Sequence, residues 1–214
     1  MRVAAVLLLV LLVLVGVAWQ VGWLDPILAA LGYRQLYLVA LDDFPPETVE
    51  WLRAYYAERF GLKAQILPAI PLEARAIDAR RAQVVGEHAV DVIKQAHPRL
   101  ARSARAVVIG LTYRDMFILL RPDWRFAFSF YAAEPAAGRF GVVSTARMDP
   151  RFHRQRENND VLYDRMRKIV SKAVAILFYD LSPNPNPRSV LYNKILGLEE
   201  LDAIVDEFDP KARG

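Results

Sequence analysis

The sequence contains no cysteine and only three histidines. Without cysteine it can form no disulfide, no catalytic thiolate and no cysteine-ligated zinc or iron–sulfur site. His88, His97 and His153 are the three histidines, and none of them lies four residues from another. A zinc site built on one helix face needs histidines at that spacing, so no helix of this chain can supply such a pair.

The chain has no strong excess of charge of either sign. It carries 28 lysines and arginines against 24 aspartates and glutamates, which gives a formal net charge of +4. A mixed surface with a small basic excess is typical of a solvated domain and does not favour nucleic acid. We therefore predict no nucleic-acid partner.

The start of the chain is a long uncharged stretch. Val3–Trp19 contains no charged residue, and only Gln20 interrupts the apolar run to Leu24. A helix needs about 20 apolar residues to span a bilayer, whereas a cleaved signal peptide, the alternative, has a shorter apolar core. Arg2 before the run and acidic residues after it place the N-terminus in the cytoplasm. We predict a single-pass protein of the cytoplasmic membrane, anchored through residues 1–24, with its domain in the periplasm.

The rest of the chain is expected to fold as one α/β domain over residues 35–208, after a connector at 25–34 and before a tail at 209–214. Its first half alternates apolar strands with helices, and this order predicts right-handed crossovers and a mainly parallel sheet. The predicted elements are strand Gln35–Leu41, helix Glu47–Phe60, strand Ala64–Leu67, helix Arg81–Ala96 and strand Ala106–Leu111.

The second half predicts a hairpin. Trp124–Tyr131 alternates along its length, with Phe126, Phe128 and Phe130 on one face, and Phe140–Ala146 returns. Such a pair is expected at one edge of the sheet. The predicted fold is therefore a twisted mixed sheet of about five strands, mainly parallel with an antiparallel edge hairpin.

A long helix over Asp160–Leu181 is expected to pack on this sheet. Asn159 or Asp160 can cap its start, and Pro183 prevents its continuation. Apolar residues surround almost the whole circumference of its second half, so this helix is predicted to be buried on most sides. That half contains no histidine, cysteine or glutamate.

Several strings in this order resemble those of archaemetzincins. They include Asp-Phe-Pro-Pro and Arg-Phe-Gly-Leu-Lys around the first helix, and Asp-Ala-Arg-Arg-Ala-Gln before the second. Ala106–Phe117 and the hairpin Phe126–Arg147 resemble the same family, and the resemblance extends over roughly Gln35–Ile204. Archaemetzincins are zinc metalloproteases of the metzincin type, so the resemblance implies a metzincin-like fold.

The resemblance also implies where zinc would bind, and there the sequence departs from the family. The family's central helix carries H-E-x-x-H-x-x-G-x-x-H, in which histidines hold zinc and the glutamate is the general base. In the aligned sequence Ala173 and Leu177 replace the first two histidines, and Val174 replaces the glutamate. Asp180 stands at the glycine and Pro183 at the third histidine. Alkyl side chains cannot ligate zinc, so we predict neither catalytic zinc nor another cofactor.

The leading functional prediction is a non-catalytic module that binds a peptide or an envelope protein. In metzincins an edge strand pairs with an extended peptide, so a partner strand is expected beside Phe126–Tyr131 or Phe140–Ala146. The predicted ligand cleft comprises Phe128, Phe130, Ser144, Lys172 and Asp180. Lys172 either binds a carboxylate in this cleft or is a surface or salt-bridged lysine.

The alternative is a hydrolase with a rebuilt active site. His153 lies in a polar loop before the long helix and could form an acid–base pair with Asp115 or Asp149. Lys172 would be a further member of that site. His153 is otherwise an exposed loop histidine, and replacing it separates the enzyme from the binding module.

Overall fold

The secondary structure comes from a computed structural model, which describes residues 24–134, 136–205 and 207–211. The helices are α1 Asp25–Ala30, α2 Pro46–Phe60, α3 Gly86–Ala96, α4 Pro98–Ala101, α5 Asn159–Leu177 and α6 Leu198–Ala203. The strands are β1 Gln35–Leu41, β2 Gln65–Ile70, β3 Ile77–Asp78, β4 Gln83–Val85, β5 Ala106–Thr112, β6 Met116–Phe117, β7 Ser129–Ala133 and β8 Arg139–Ser144. Within these ranges no helix has the length and apolar character needed to cross a bilayer. The predicted anchor lies outside them except for Leu24.

Five strands form the main sheet, in the order β2-β1-β5-β8-β7. All neighbours run parallel except β7 and β8, which pair antiparallel at one edge. A smaller sheet contains β3, β4 and β6. The predicted mixed α/β fold, with a mainly parallel five-stranded sheet, is confirmed.

One face of the main sheet is covered by α2 and α5. Leu52 of α2 and Ile169 of α5 share a core with Leu36 and Leu38 of β1. All four are almost fully buried, and each such side chain contributes about 1.5–3 kcal/mol through the hydrophobic effect. The long helix is therefore fixed to the sheet over most of its length.

The other face is covered by α3. Val90 and Ile93 of α3 pack against Val39 and Val108, which point away from the α5 side. A Cβ at Gly110 would lie 2.6 Å from Cδ1 of Ile93, so glycine is what allows the helix to approach β5 this closely. With both faces covered, β5 is buried along its whole length, as expected for an inner parallel strand.

Helix α2 has the boundaries that its sequence indicates. It begins at Pro46, one residue before the predicted start, where the fixed φ of proline suits the first turn. It ends at Phe60 because Gly61 adopts a left-handed conformation with φ 63°. The Gly61 N–H donates to the Ala57 carbonyl at 3.1 Å.

Helix α5 is shorter than predicted at its C-terminal end. Its N-cap is Asn158, whose side chain accepts the Val161 N–H at 3.2 Å, so neither Asn159 nor Asp160 is the cap. The helix ends at Leu177 and not at Leu181. Three residues later Asp180 has φ 59°, and the chain leaves the helix axis there.

The predicted helix over residues 81–96 was wrong at its start. The helix begins only at Gly86, and the residues before it form β4, which pairs in parallel with β6. Asp78 Oδ1 accepts the Arg81 N–H at 3.0 Å and turns the chain before β4. This pairing joins residues about 30 positions apart, and local periodicity could not reveal it.

The first strand of the hairpin also starts later than predicted. Residues 124–128 are not paired as strand, because the main chain of Trp124 and Arg125 accepts hydrogen bonds from the Arg81 guanidinium, at 3.0 Å each. The later start changes the direction of the phenylalanines. Phe128 belongs to the core on the α5 side, whereas Phe130 packs with the core on the α3 side. The expectation of one shared phenylalanine face is therefore wrong.

Candidate functional site

A cleft of about 390 Å³ opens beside the edge strand β7. One wall is formed by residues 124–129 together with Tyr131. Ile169 and Lys172 of α5 form its floor, and Asn193, Ile195 and Leu196 close the opposite side. The cleft therefore lies between the sheet edge, the long helix and the segment that precedes α6.

The edge strand β7 turns unpaired main-chain groups towards solvent. Ser144 N–H donates to the Phe128 carbonyl at 2.9 Å, which fixes the alternation of the ladder with β8. In an antiparallel pair every second residue bonds to the neighbouring strand. Ser129, Tyr131 and Ala133 therefore point their N–H and C=O groups away from β8. Strand β8 is an inner strand between β5 and β7, so the expected pairing of a partner with Phe140–Ala146 is not available.

Aromatic contacts fix the wall of the cleft in place. The rings of Phe126 and Phe128 meet edge to face, with centroids 5.1 Å apart. The Arg147 guanidinium lies 4.3 Å from the centre of the Phe126 ring. Such a cation–π contact contributes about 0.5–1 kcal/mol at an exposed site. Ser129 Oγ donates to the Tyr131 hydroxyl at 2.8 Å, and both of these residues line the cleft.

Lys172 is the ionisable group in the floor of the cleft. Its ammonium donates a hydrogen bond to the Tyr192 carbonyl, which joins α5 to the segment before α6. Burial lowers the pKa of Lys172 to about 8, because desolvation disfavours the charged form. Arg125 is the other charged residue of the lining, and no carboxylate of the described ranges lines this cleft.

Comparison with known proteins relates this architecture to solved structures. No protein-family model and no curated protein matches the chain. The archaemetzincin from Methanopyrus kandleri matches with 22% identity and a TM-score of 0.61, over 81% of this chain and 87% of that one. A zinc-dependent peptidase from Methanocorpusculum labreanum matches with 18% identity and a TM-score of 0.62, over 79% of this chain and 93% of that one. The archaemetzincin from Archaeoglobus fulgidus, complexed with malonate, matches with 18% identity and a TM-score of 0.61, over 79% of this chain and 92% of that one.

The chain has an archaemetzincin-like fold. Identities this low establish the shared fold and nothing about activity. The sequence resemblance stated above is therefore confirmed at the level of architecture.

The residues that the sequence resemblance aligns with the family's zinc ligands do not fit a metal. Ala173, Val174 and Leu177 are fully buried, and a Cβ on Gly141 of β8 would lie 3.1 Å from Cδ1 of Leu177. Pro183 is exposed and offers no ligand atom. Over the described ranges no three histidine, cysteine or acidic side chains are grouped so that they could hold a metal ion. We derive no zinc step for this domain.

The turn after α5 contains Asp180, the residue that the sequence resemblance aligns with the glycine of the family motif. Asp180 has φ 59°, a conformation that glycine adopts most easily. Here the side chain compensates for the strain, since Asp180 forms ion pairs with Arg34, at 2.7 Å, and with Arg139. These arginines lower the pKa of Asp180, although its partial burial acts in the opposite direction.

The five predicted cleft residues are divided between four places. Phe128 and Lys172 line the cleft. Phe130 lies on the α3 side, where a Cβ on Gly86 would be 2.9 Å from its own Cβ. Ser144 is buried on β8 and its Oγ donates to the Arg114 carbonyl at 2.6 Å, while Asp180 lies beyond the end of α5.

His153 and Asp115 are each engaged by Arg147. Asp115 accepts two hydrogen bonds from the Arg147 guanidinium, at 2.9 and 2.8 Å, and one from the Gln83 amide at 2.7 Å. His153 Nε2 contacts the Arg147 carbonyl at 2.9 Å. No contact between the two side chains is among those described, and Lys172 lines the cleft beside β7, to which neither His153 nor Asp115 contributes.

Sequence reasoning missed much of the lining. Ile169 precedes Lys172 by three positions on α5, a spacing that puts both on one helix face, so this neighbour could have been found. Ser129 and Tyr131 alternate with Phe130 and could have been assigned once the strand start was known. No local pattern marks Ile195 and Leu196, which reach the cleft only through the fold.

Proposed function

We propose that this archaemetzincin-like domain binds an extended peptide or protein segment without cleaving it. The observation that carries the proposal is the exposed edge of β7 along a cleft with aromatic walls. Unpaired strand edges are templates for another strand, and pairing supplies main-chain hydrogen bonds independently of sequence. The side-chain contacts of the cleft would then select which segments bind.

The proposal of a non-catalytic role rests on the residues at the zinc positions. A metzincin needs ligands that hold the metal and a general base beside them. Ala173 and Leu177 have no ligand atom in their side chains, and Val174 has no group that accepts a proton. The features that bind an extended chain, an edge strand and a cleft, do not depend on these residues.

We also propose that residues 1–24 anchor the domain on the outer side of the cytoplasmic membrane. The support is the uncharged run in the sequence and the surface that directly follows it. In and just after α1, Ile27, Leu31 and Tyr33 are 59%, 67% and 62% exposed. Exposed apolar side chains at such a position suit the interface of a bilayer. The partner would then be a peptide or an envelope protein.

Strand addition can be tested at Ser129. Ser129→Pro removes an outward N–H while leaving the β8 ladder intact, and Ser129→Ala is the matched control that removes only the hydroxyl. The full-length protein in detergent would be offered a synthetic library of random decapeptides, and bound peptides would be identified by mass spectrometry. We expect Ser129→Ala, which keeps the main-chain N–H, to retain most of the peptides that the wild type binds, and Ser129→Pro to lose them.

Two results would contradict the proposal. If no peptide is retained by the wild type, the cleft is not a peptide site. If Ser129→Pro retains the same peptides as Ser129→Ala, the edge of β7 takes no part in binding. Equal unfolding free energies of the two variants, measured in urea, would show that a loss of binding is not a loss of folding.

A further inference from the structure

The charges of the cleft are all of one sign. Lys172 lies in the floor and Arg125 in the wall, and the lining includes no aspartate or glutamate. The remaining polar contribution comes mainly from Ser129, the Tyr131 hydroxyl and the amide of Asn193. An apolar cleft with cations and no carboxylate is complementary to a ligand that carries a negative charge next to an apolar body.

Lys172 differs from the other buried lysine of the same helix. Lys168, one turn earlier, forms an ion pair with Asp164 at 2.7 Å, so its charge is compensated within the protein. The described contacts of Lys172 include no carboxylate, and its ammonium donates to the Tyr192 carbonyl. An ammonium has three N–H donors, so two remain for a ligand. The hydrogen bond to the Tyr192 carbonyl also holds the flexible Lys172 side chain in the cleft.

The surroundings make this ammonium a strong attractor of anions. In a partly desolvated site the interaction between opposite charges is stronger than in water, and a charge-assisted hydrogen bond is about twice as strong as a neutral one. A bound carboxylate would supply the compensation that the protein itself does not provide for Lys172. The cost of burying this lysine is thus offset only in the complex.

We infer that the cleft binds a peptide through a carboxylate that accepts hydrogen bonds from Lys172, with an adjacent apolar residue against Phe126 and Phe128. This rests on the proposed function and specifies its ligand. The carboxylate is either the C-terminus of the peptide or an acidic side chain. In both cases the main chain of the peptide runs beside Ser129 and Tyr131.

The test compares three peptide libraries on the full-length protein in detergent. All are random hexapeptides with acetylated N-termini and without aspartate. The first has free C-termini and no glutamate, the second is amidated and has no glutamate, and the third is amidated and contains one glutamate. We expect the protein to retain at least one of the two carboxylate libraries, the first or the third, at least tenfold more than the second. The library that binds better identifies the source of the carboxylate.

Variants then assign the effect to Lys172. Lys172→Met keeps the length of the side chain and removes the charge, so it should reduce retention of the carboxylate peptides to that of the uncharged library. Lys194→Met is the control, because Lys194 is an exposed lysine of the neighbouring segment that does not line the cleft. Urea unfolding of both variants checks that they are folded.

The outcomes separate this inference from the proposed function. If the wild type retains all three libraries equally and Ser129→Pro loses them all, the role of Lys172 is overturned. Strand addition at β7 would still stand. Retention of carboxylate peptides that Lys172→Met leaves unchanged would overturn it as well. If the protein retains none of the libraries, both proposals fail.

Discussion

Arg165 and Asp202 form a two-point ion pair, with Nε–Oδ1 and Nη2–Oδ2 distances of 2.7 and 2.6 Å, that joins α5 to α6. The Arg165 side chain is only 9% exposed. Asp202→Ala would leave a buried guanidinium without its carboxylate, and we expect a loss of about 2 kcal/mol in unfolding free energy, less than for a fully buried pair because Asp202 is half exposed. Urea denaturation measures this. Asp123→Ala, at an exposed position, should change stability by less than about 0.5 kcal/mol.

Because of Lys172, the free energy of unfolding should change with pH in the alkaline range. Its folded pKa, about 8, lies below the usual value of 10.5, so between these values the unfolded chain binds more protons and stability rises with pH. Lys172→Met should therefore raise the unfolding free energy at pH 7 by about 2 kcal/mol, and the gain should disappear near pH 10.5. Urea titrations of the wild type and of Lys172→Met at the two pH values test this. A gain that is the same at both pH values would contradict a depressed pKa.

Metal content gives a direct test of the zinc positions. The purified chain, kept free of chelators, should contain far less than one zinc per molecule, because Ala173, Leu177 and Pro183 offer no ligand. Inductively coupled plasma mass spectrometry measures this. One zinc per chain would mean that other residues form a site, and His153 with its neighbouring carboxylates would be the first to replace.

His153→Ala separates the binding module from the hydrolase. His153 is exposed, and its ring contacts the Arg147 carbonyl and the edge of the exposed Phe152 ring, so its loss should leave stability within about 0.5 kcal/mol. Peptide retention should also be unchanged. Release of fluorescent fragments from labelled casein would be measured in parallel, and hydrolysis that His153→Ala abolishes would favour the rebuilt active site.

The proposed membrane position of α1 can be tested with single cysteines, since the sequence contains none of its own. Leu31→Cys labelled with an environment-sensitive fluorophore should show a blue-shifted emission when the full-length protein is reconstituted in phospholipid vesicles. The control is Leu120→Cys, which is contacted by Glu87 at the start of α3, at the opposite end of the sheet from α1. Equal emission from the two labels would argue against a membrane position for α1.

The parts of the fold that sequence predicted are those fixed by local chemistry. β1 and β5 are continuous apolar runs, and their boundaries agree with the prediction to within one residue. The end of α2 follows from Gly61, whose conformation requires no distant partner. In these places one residue or one pattern determines the structure, so reading the pattern was sufficient.

The parts that were missed depend on distant contacts. β4 exists because of β6, and the late start of β7 reflects hydrogen bonds from Arg81 to a segment more than 40 residues away. The last turn predicted for α5 is replaced by a turn in which Asp180 contacts Arg34 and Arg139. The predicted placement of Phe130 beside Phe128 assumed a continuous strand from Trp124, and it failed because β7 begins only at Ser129.

If residues 1–24 anchor the domain as proposed, the position of Arg34 would limit how far the cleft can move from the membrane. Its side chain is only 5% exposed and also donates to the Phe178 carbonyl at 2.6 Å, so the connector is attached to the end of the cleft helix. Between a membrane anchor ending near Leu24 and this attachment lies little more than α1, which is about 9 Å long. A domain on so short a tether samples a thin layer above the bilayer. Segments of other membrane-bound proteins would meet the cleft there at high effective concentration, and a weak site would be sufficient to hold them.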